Sequence, residues 1–174
     1  VTVGEAAASA VITNDRRRSE MPMSEPESVR QYFEDIQVGD EYVSPGRTVT
    51  EADIVAFAGL SGDYNVLHTD AEFMKTSIFG ERIAHGLLGL AIASGLGTRA
   101  IARPFATLAF LGLRWRFKGP IKIGDTIKVS LKVTAKRETS KPDRGIVTLQ
   151  RRVLNQRGEL VQEGDTELMV ERRK

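Results

Sequence analysis

Hydrophobic and polar positions along this chain follow two rhythms. In residues 126–136, Ile127, Val129, Leu131 and Val133 alternate with Lys128, Ser130, Lys132 and Thr134. That two-residue period belongs to a strand with one buried face and one wet face. Strand-like runs also occupy residues 41–49, 107–118, 146–154 and 160–170. Turn residues flank or separate them: Val38-Gly39-Asp40, Pro120 with Gly124-Asp125, Pro142-Asp143-Arg144-Gly145, and Asn155-Gln156-Arg157-Gly158. The other rhythm is helical. Thr50 precedes the acidic residues Glu51 and Asp53 as an N-cap, and Ile54, Phe57 and Ala58 take the i, i+3, i+4 spacing of one face. This predicts a helix ending near Gly62, then a loop over residues 63–68 and a short helix over residues 71–75. Residues 83–101 are apolar nearly all round, with Gly86, Gly89, Ala91, Ala93, Ser94 and Gly95 allowing close backbone approach. Such a segment reads as a central, enclosed helix. The economical solution is an α+β domain, an antiparallel sheet wrapped around one long apolar helix.

Residues 1–30 carry neither rhythm and are rich in Ala, Ser, Glu, Arg and Pro, so they are expected to form a flexible tail ahead of a single domain over residues 31–174. The chain opens on valine, and Met21 and Met23 are candidate starts. Residues 6–12 are mildly apolar but lack the preceding basic run of a secretory leader. No segment reaches the roughly 18 consecutive apolar residues that span a bilayer. Lys and Arg total 25 against 23 Asp and Glu, a formal charge of +2 with both signs interspersed, which does not suggest nucleic acid. With no cysteine, a disulfide framework, a thiol nucleophile and a cysteine metal site are all absent, and the cytoplasm is the expected compartment.

Candidate chemistry concentrates in Leu60-Ser61-Gly62-Asp63-Tyr64-Asn65-Val66-Leu67-His68 and in Ala84-His85-Gly86-Leu87-Leu88. Asp63 and His68 supply a carboxylate and an imidazole, the pairing suited to general acid–base catalysis near neutral pH. Taken alone, the same residues also fit a capping aspartate and a structural histidine. Gly86 opens the long helix, where free N–H groups and the positive dipole end favour a developing oxyanion and glycine lets a substrate approach the backbone. Asn65 fits either an orienting amide or a turn residue. Arg114, Arg116 and Lys118 fall on one face of a strand, either to meet phosphates or simply to be solvated. No phosphate-cradling glycine loop, metal-spaced cluster or Gly-x-Ser-x-Gly elbow is present.

The run Phe57-Ala58-Gly59-Leu60-Ser61-Gly62-Asp63-Tyr64-Asn65-Val66-Leu67-His68-Thr69-Asp70, with His85-Gly86-Leu87-Leu88 and the Ile123-Gly124-Asp125 turn, resembles the MaoC-like dehydratases, specifically the (R)-specific enoyl-CoA hydratases. The resemblance covers roughly residues 32–170. It implies a hotdog fold, paired into a homodimer or an assembly of dimers, and hydration of a trans-2-enoyl-CoA to the (3R)-hydroxyacyl thioester. By the same resemblance Asp63 is the base, His68 orients the water and helps deliver the proton to C2, Gly86 is the oxyanion position, and Ser94 matches a serine that hydrogen-bonds the aspartate. Ser94 also fits a small residue packed against the sheet. His85 is expected to be structural. No cofactor or metal is implied beyond the CoA carried by the substrate. A hotdog acyl-CoA thioesterase and a non-catalytic acyl-thioester-binding protein are the alternatives.

Overall fold

The computed structural model describes residues 29–173. The expected tail therefore lies, except for residues 29–30, outside the described residues. Elements run β1 (Glu41–Val43), β2 (Arg47–Thr48), α1 (Glu51–Ser61), α2 (Val66–Thr69), α3 (Ala71–Lys75), α4 (Gly86–Ala100), β3 (Thr107–Phe117), β4 (Thr126–Glu138), β5 (Arg144–Leu154) and β6 (Leu160–Glu171). The strands form an antiparallel sheet in the order β1-β4-β5-β6-β3, with β2 also on β4. This sheet curls around α4 and gives the hotdog fold that the family resemblance implied.

The alternation in β4 decides which side of the sheet holds the core. Ile127, Val129, Leu131 and Val133 are fully buried, and with Val153 and Val161 of the neighbouring strands the first three pack against Leu88, Ile92, Ala93 and Leu96 of α4. A second cluster of Phe33, Ile36, Phe105, Val133, Val147, Leu149, Leu168 and Val170 closes the other end of the sheet.

The helix α1 starts as its sequence predicts. Thr50 Oγ1 accepts from Asp53 N–H while Thr50 N–H donates to Asp53 Oδ2, a reciprocal capping box. It stops at Gly62, whose φ of 75° suits glycine and turns the chain into Asp63.

Four expectations are corrected. Residues 41–49 are two short strands, because Pro45 offers no N–H and the register on β4 changes from Val43↔Ser130 to Arg47↔Ile127. The long helix begins at Gly86 rather than at residue 83. Ile83 instead pairs with Lys122 and Ala84 N–H donates to the Ile121 carbonyl, so residues 83–85 are extended. The segment 63–68 is not all loop, since Asn65 Oδ1 accepts from Leu67 N–H and starts α2, which carries His68. Finally, α4 is enclosed on one side only: Leu88, Gly89, Ile92, Ala93, Leu96 and Gly97 are buried, whereas Leu87, Ala91 and Ser94 are exposed. One curled sheet covers one face of a helix, and the apolar character of the opposite face is left over.

Asp125 ties the Ile123-Gly124-Asp125 turn to the β5–β6 turn, accepting from Lys122 N–H, the Gln156 amide and the Arg157 guanidinium. Burial alone raises its carboxyl, but these donors outweigh burial and hold it below its ordinary value of 3.8. Its stabilising effect is therefore complete above that value and fades as pH falls through the lower folded-state value. Asp125→Ala should cost on the order of 1–3 kcal/mol at neutral pH. Urea melts of both proteins should converge in strong acid; a gap that stays constant with pH would assign the loss to packing.

Candidate active site

A cavity of about 740 Å³ opens between the end of α1, the start of α4 and the residues that follow β3. Its walls are mostly apolar, including Phe57, Phe79, Ile83, Leu87, Phe117 and Ile121, and its polar groups include Asp63, His68, His85, Lys118 and Gln162. An apolar pocket with a few convergent polar groups is the usual form of a small-molecule site.

Three of those groups meet closely. A carboxylate oxygen of Asp63 and one ring nitrogen each of His68 and His85 all lie within 4.8 Å of one another. The backbone explains how a loop aspartate and a histidine five residues on come together. The α2 turn brings His68 inward, where it is 8% exposed, and its Nδ1 lies 2.7 Å from the Ile83 carbonyl. A carbonyl only accepts, so Nδ1 carries a proton, and in the tautomer this selects Nε2 is the acceptor. His85 Nε2 donates to the Asp63 carbonyl at 2.9 Å, and the two imidazoles stack at 3.8 Å between centroids. The Phe57 ring also packs against His85, tilted by 53° with centroids 5.0 Å apart. Asp63 itself is exposed to the cavity, and its Oδ1 takes Asn65 N–H.

A bridging water fits within that limit. Two hydrogen bonds of about 2.8 Å meeting at a near-tetrahedral angle span about 4.6 Å. A metal ion suits the trio poorly, although the fold collects three potential donors that sequence spacing did not suggest. An ion must lie near the plane of each imidazole at about 2.0–2.1 Å. The stacked rings, 29° from parallel, do not direct two lone pairs at one such point.

Gly86 lines the same cavity as the first residue of α4. His85 gives no side-chain cap, so the first amides of the helix keep their donors for whatever occupies the cavity. A Cβ at Gly86 would come within 2.8 Å of the Phe117 ring, so glycine also fits the packing there. Its carbonyl accepts from Gln162 Nε2, and Gln162 Oε1 accepts from Trp115 Nε1. Sequence reasoning missed this brace, although a glutamine beside Val161 in a strand that buries both is a departure from alternation that points to it.

The remaining expected residues separate. Asn65 is exposed and caps α2 through its side chain, which places it next to the dyad without joining it. Ser94 lies two turns along α4 in an adjoining pocket, not in the cavity that Asp63 lines. Lys118 stands at the cavity and pairs with Glu163, whereas Arg114 and Arg116 line a separate small polar groove.

Fold and site together define a MaoC-like dehydratase domain: the family model described as "MaoC like domain" matches residues 35–153, and the chain belongs to that family. Among its relatives, the (R)-specific enoyl-CoA hydratase of Rhodospirillum rubrum is 36% identical over 149 residues, covering 85% of this chain and 97% of that one. Protein MaoC of Klebsiella aerogenes is 49% identical over 116 residues, which are 66% of this chain, and the match spans only 33% of that longer protein. Of the solved structures, a monoamine oxidase regulatory protein from Archaeoglobus superposes with a TM-score of 0.78 at 40% identity, covering 83% and 97% of the two chains. A Mycobacterium tuberculosis protein with a double hotdog fold gives 0.75 at 23% identity over 85% of this chain and 46% of that one, a likeness of fold alone.

Proposed function

We propose that this protein is a hydro-lyase that adds water reversibly to a trans-2-enoyl-CoA, giving the (3R)-hydroxyacyl-CoA. The observation that carries the reading is the convergence of Asp63 and His68, within 4.8 Å of each other, beside the uncapped start of α4 in one apolar cavity. With the thioester oxygen on the Gly86 amide, the water donates one O–H to the Asp63 carboxylate and the other to His68 Nε2. The water oxygen forms a bond to C3 as Asp63 takes its proton. The C2–C3 π electrons move onto the thioester as an enolate, which the helix N-terminus stabilises. Return of that proton to C2, with His68 holding the bridging hydrogen bond, completes the addition with every atom of water accounted for. Asn65 supports the dyad by starting α2. Ser94 serves the substrate's acyl group from its neighbouring pocket, and the (R) outcome follows the name of the Rhodospirillum relative.

The test is turnover of a chain-length panel of trans-2-enoyl-CoAs, with chiral analysis of the product. The (3R)-hydroxyacyl-CoA is expected. Release of free CoA would identify a thioesterase instead, and unchanged thioester despite tight binding a non-catalytic binder.

The same reading includes a homodimer working in the cytoplasm. Strand β3 is an edge of the sheet and carries exposed Leu108, Phe110, Leu111 and Leu113, of which Phe110 and Leu113 line one pocket with exposed Leu87 of α4, a surface that a second copy can cover. Sedimentation at micromolar concentration should find no dominant monomer. A stable, fully active monomer would remove the dimer from the reading. Among the described residues no helix is long and apolar enough to cross a membrane.

A further inference from the structure

A second cavity, of about 540 Å³, shares Phe57 and Leu87 with the dyad cavity and continues along α4 past Leu90 and Ser94. Its lining is apolar except for Ser94, Arg151 and Thr166. Arg151 breaks the rule of its own strand: β5 turns Val147, Leu149 and Val153 into the core, and Arg151 takes the inward position between the last two. It is 8% exposed. Nε donates to Thr166 Oγ1 at 3.0 Å; among the described residues no carboxylate lies within ion-pair distance and no acceptor takes Nη1 or Nη2. A Cβ on Gly97 would stand 2.4 Å from Nη1, so it is the missing side chain on α4 that makes room for the guanidinium. A buried cation with no anion is costly, and a bidentate carboxylate is the partner a guanidinium fork fits best.

We propose that Arg151 closes the far end of the acyl channel and binds a carboxylate there, so that the preferred substrate is a medium-length enoyl thioester carrying a second carboxyl group at its distal end. This rests on the hydratase reading above. The length follows from α4: Gly97 stands eleven residues beyond Gly86, about 16 Å at the helical rise. Allowing about 3 Å for a hydrogen bond at each end, extended diacid chains of about eight to ten carbons bracket that span, whereas a crotonyl group falls short.

The experiment compares trans-2-decenedioyl-CoA, linked through its C1 carboxyl, with trans-2-decenoyl-CoA on the full chain. The diacid ester should have the higher kcat/KM by about 10-fold or more. Arg151→Met, which keeps length and removes charge, should abolish or invert that ratio. Equal rates in the wild-type protein, or an unchanged ratio in Arg151→Met, overturn the assignment. Calorimetric binding of the unreactive saturated pair, decanedioyl-CoA and decanoyl-CoA, to the wild-type protein gives a reading independent of turnover and of how the variant folds. Preferential diacid binding without hydration of either enoyl ester would sink the hydratase reading and keep the site. Hydration of decenoyl-CoA with no diacid preference in either assay would sink the site alone.

Discussion

Asp63→Asn and His68→Gln should each lower kcat for enoyl-CoA hydration by about 10²-fold or more, with circular dichroism unchanged. Asparagine keeps the size of Asp63 and its contact with Asn65 N–H but no longer accepts a proton, and glutamine offers a polar partner that does not shuttle one. On the proposed mechanism both groups act on one water, so the double variant should lose far less than the product of the two single losses. His85→Gln separates the roles. His85 touches the Asp63 carbonyl and the face of His68, so its loss should disturb the dyad's placement and raise KM together with a smaller fall in kcat. A folded Asp63→Asn or His68→Gln protein with near wild-type turnover, alongside an inactive His85→Gln, would overturn the assignment.

Gly164→Ala should be the most damaging of the single-methyl substitutions, lowering stability by about 3 kcal/mol. Gly164 pairs with Trp115 across the β3–β6 ladder, and a Cβ there would sit 2.1 Å from the Arg114 carbonyl oxygen and 2.5 Å from the Trp115 ring. A carbonyl locked in a sheet does not swing aside as a side-chain tip does, so the strands must separate. Trp115 holds Gln162, which holds the Gly86 carbonyl, and the damage should therefore reach Gly86, the proposed oxyanion position. The measurement is a denaturant melt together with KM for the enoyl thioester. A midpoint equal to that of the wild-type protein would show that β3 is not held against β6 as described.

Much of the fold was legible in the chain, for a specific reason. Signals carried by neighbouring residues translate directly: the Thr50 and Asp53 cap, the alternation from Ile127 to Val133, and the Gly62, Gly124 and Gly158 turns all appear where the pattern placed them. Asp63 and His68 were legible as a motif, but not as a geometry. Their approach depends on the Ile83 carbonyl and on His85, some fifteen to twenty-two residues away. The extended stretch ahead of α4 was illegible because its partners, Ile121 and Lys122, are remote in sequence and its own residues are as apolar as the helix. Arg151 and Gln162 show the opposite case. Each is a polar residue in the inward register of a strand, a local discord visible in the amino-acid pattern alone, while what the discord serves emerges only when α4 is laid across it.

Both members of the dyad are referenced to the same short segment. His68 is tied to the carbonyl of Ile83, and Asp63 is tied through its own carbonyl to His85, while Ala84 between them is clamped to Ile121. The stretch from Asp70 to Arg82, which supplies Phe79 to the cavity wall, adds no side chain to that frame. Its exposed positions, among them Glu72, Phe73 and Ile78, are where substitution should reshape the surroundings of the entrance without moving Asp63 and His68 relative to each other, whereas the fully buried Met74 and the Glu81–Lys122 and Arg82–Glu51 pairs anchor the stretch and must stay. For protein engineering this makes the exposed positions within residues 71–80 the place to diversify substrate entry, with the placement of Asp63 and His68 held by the residues on either side of Ala84. The same separation gives natural variation a route to new substrates that does not pass through an inactive intermediate.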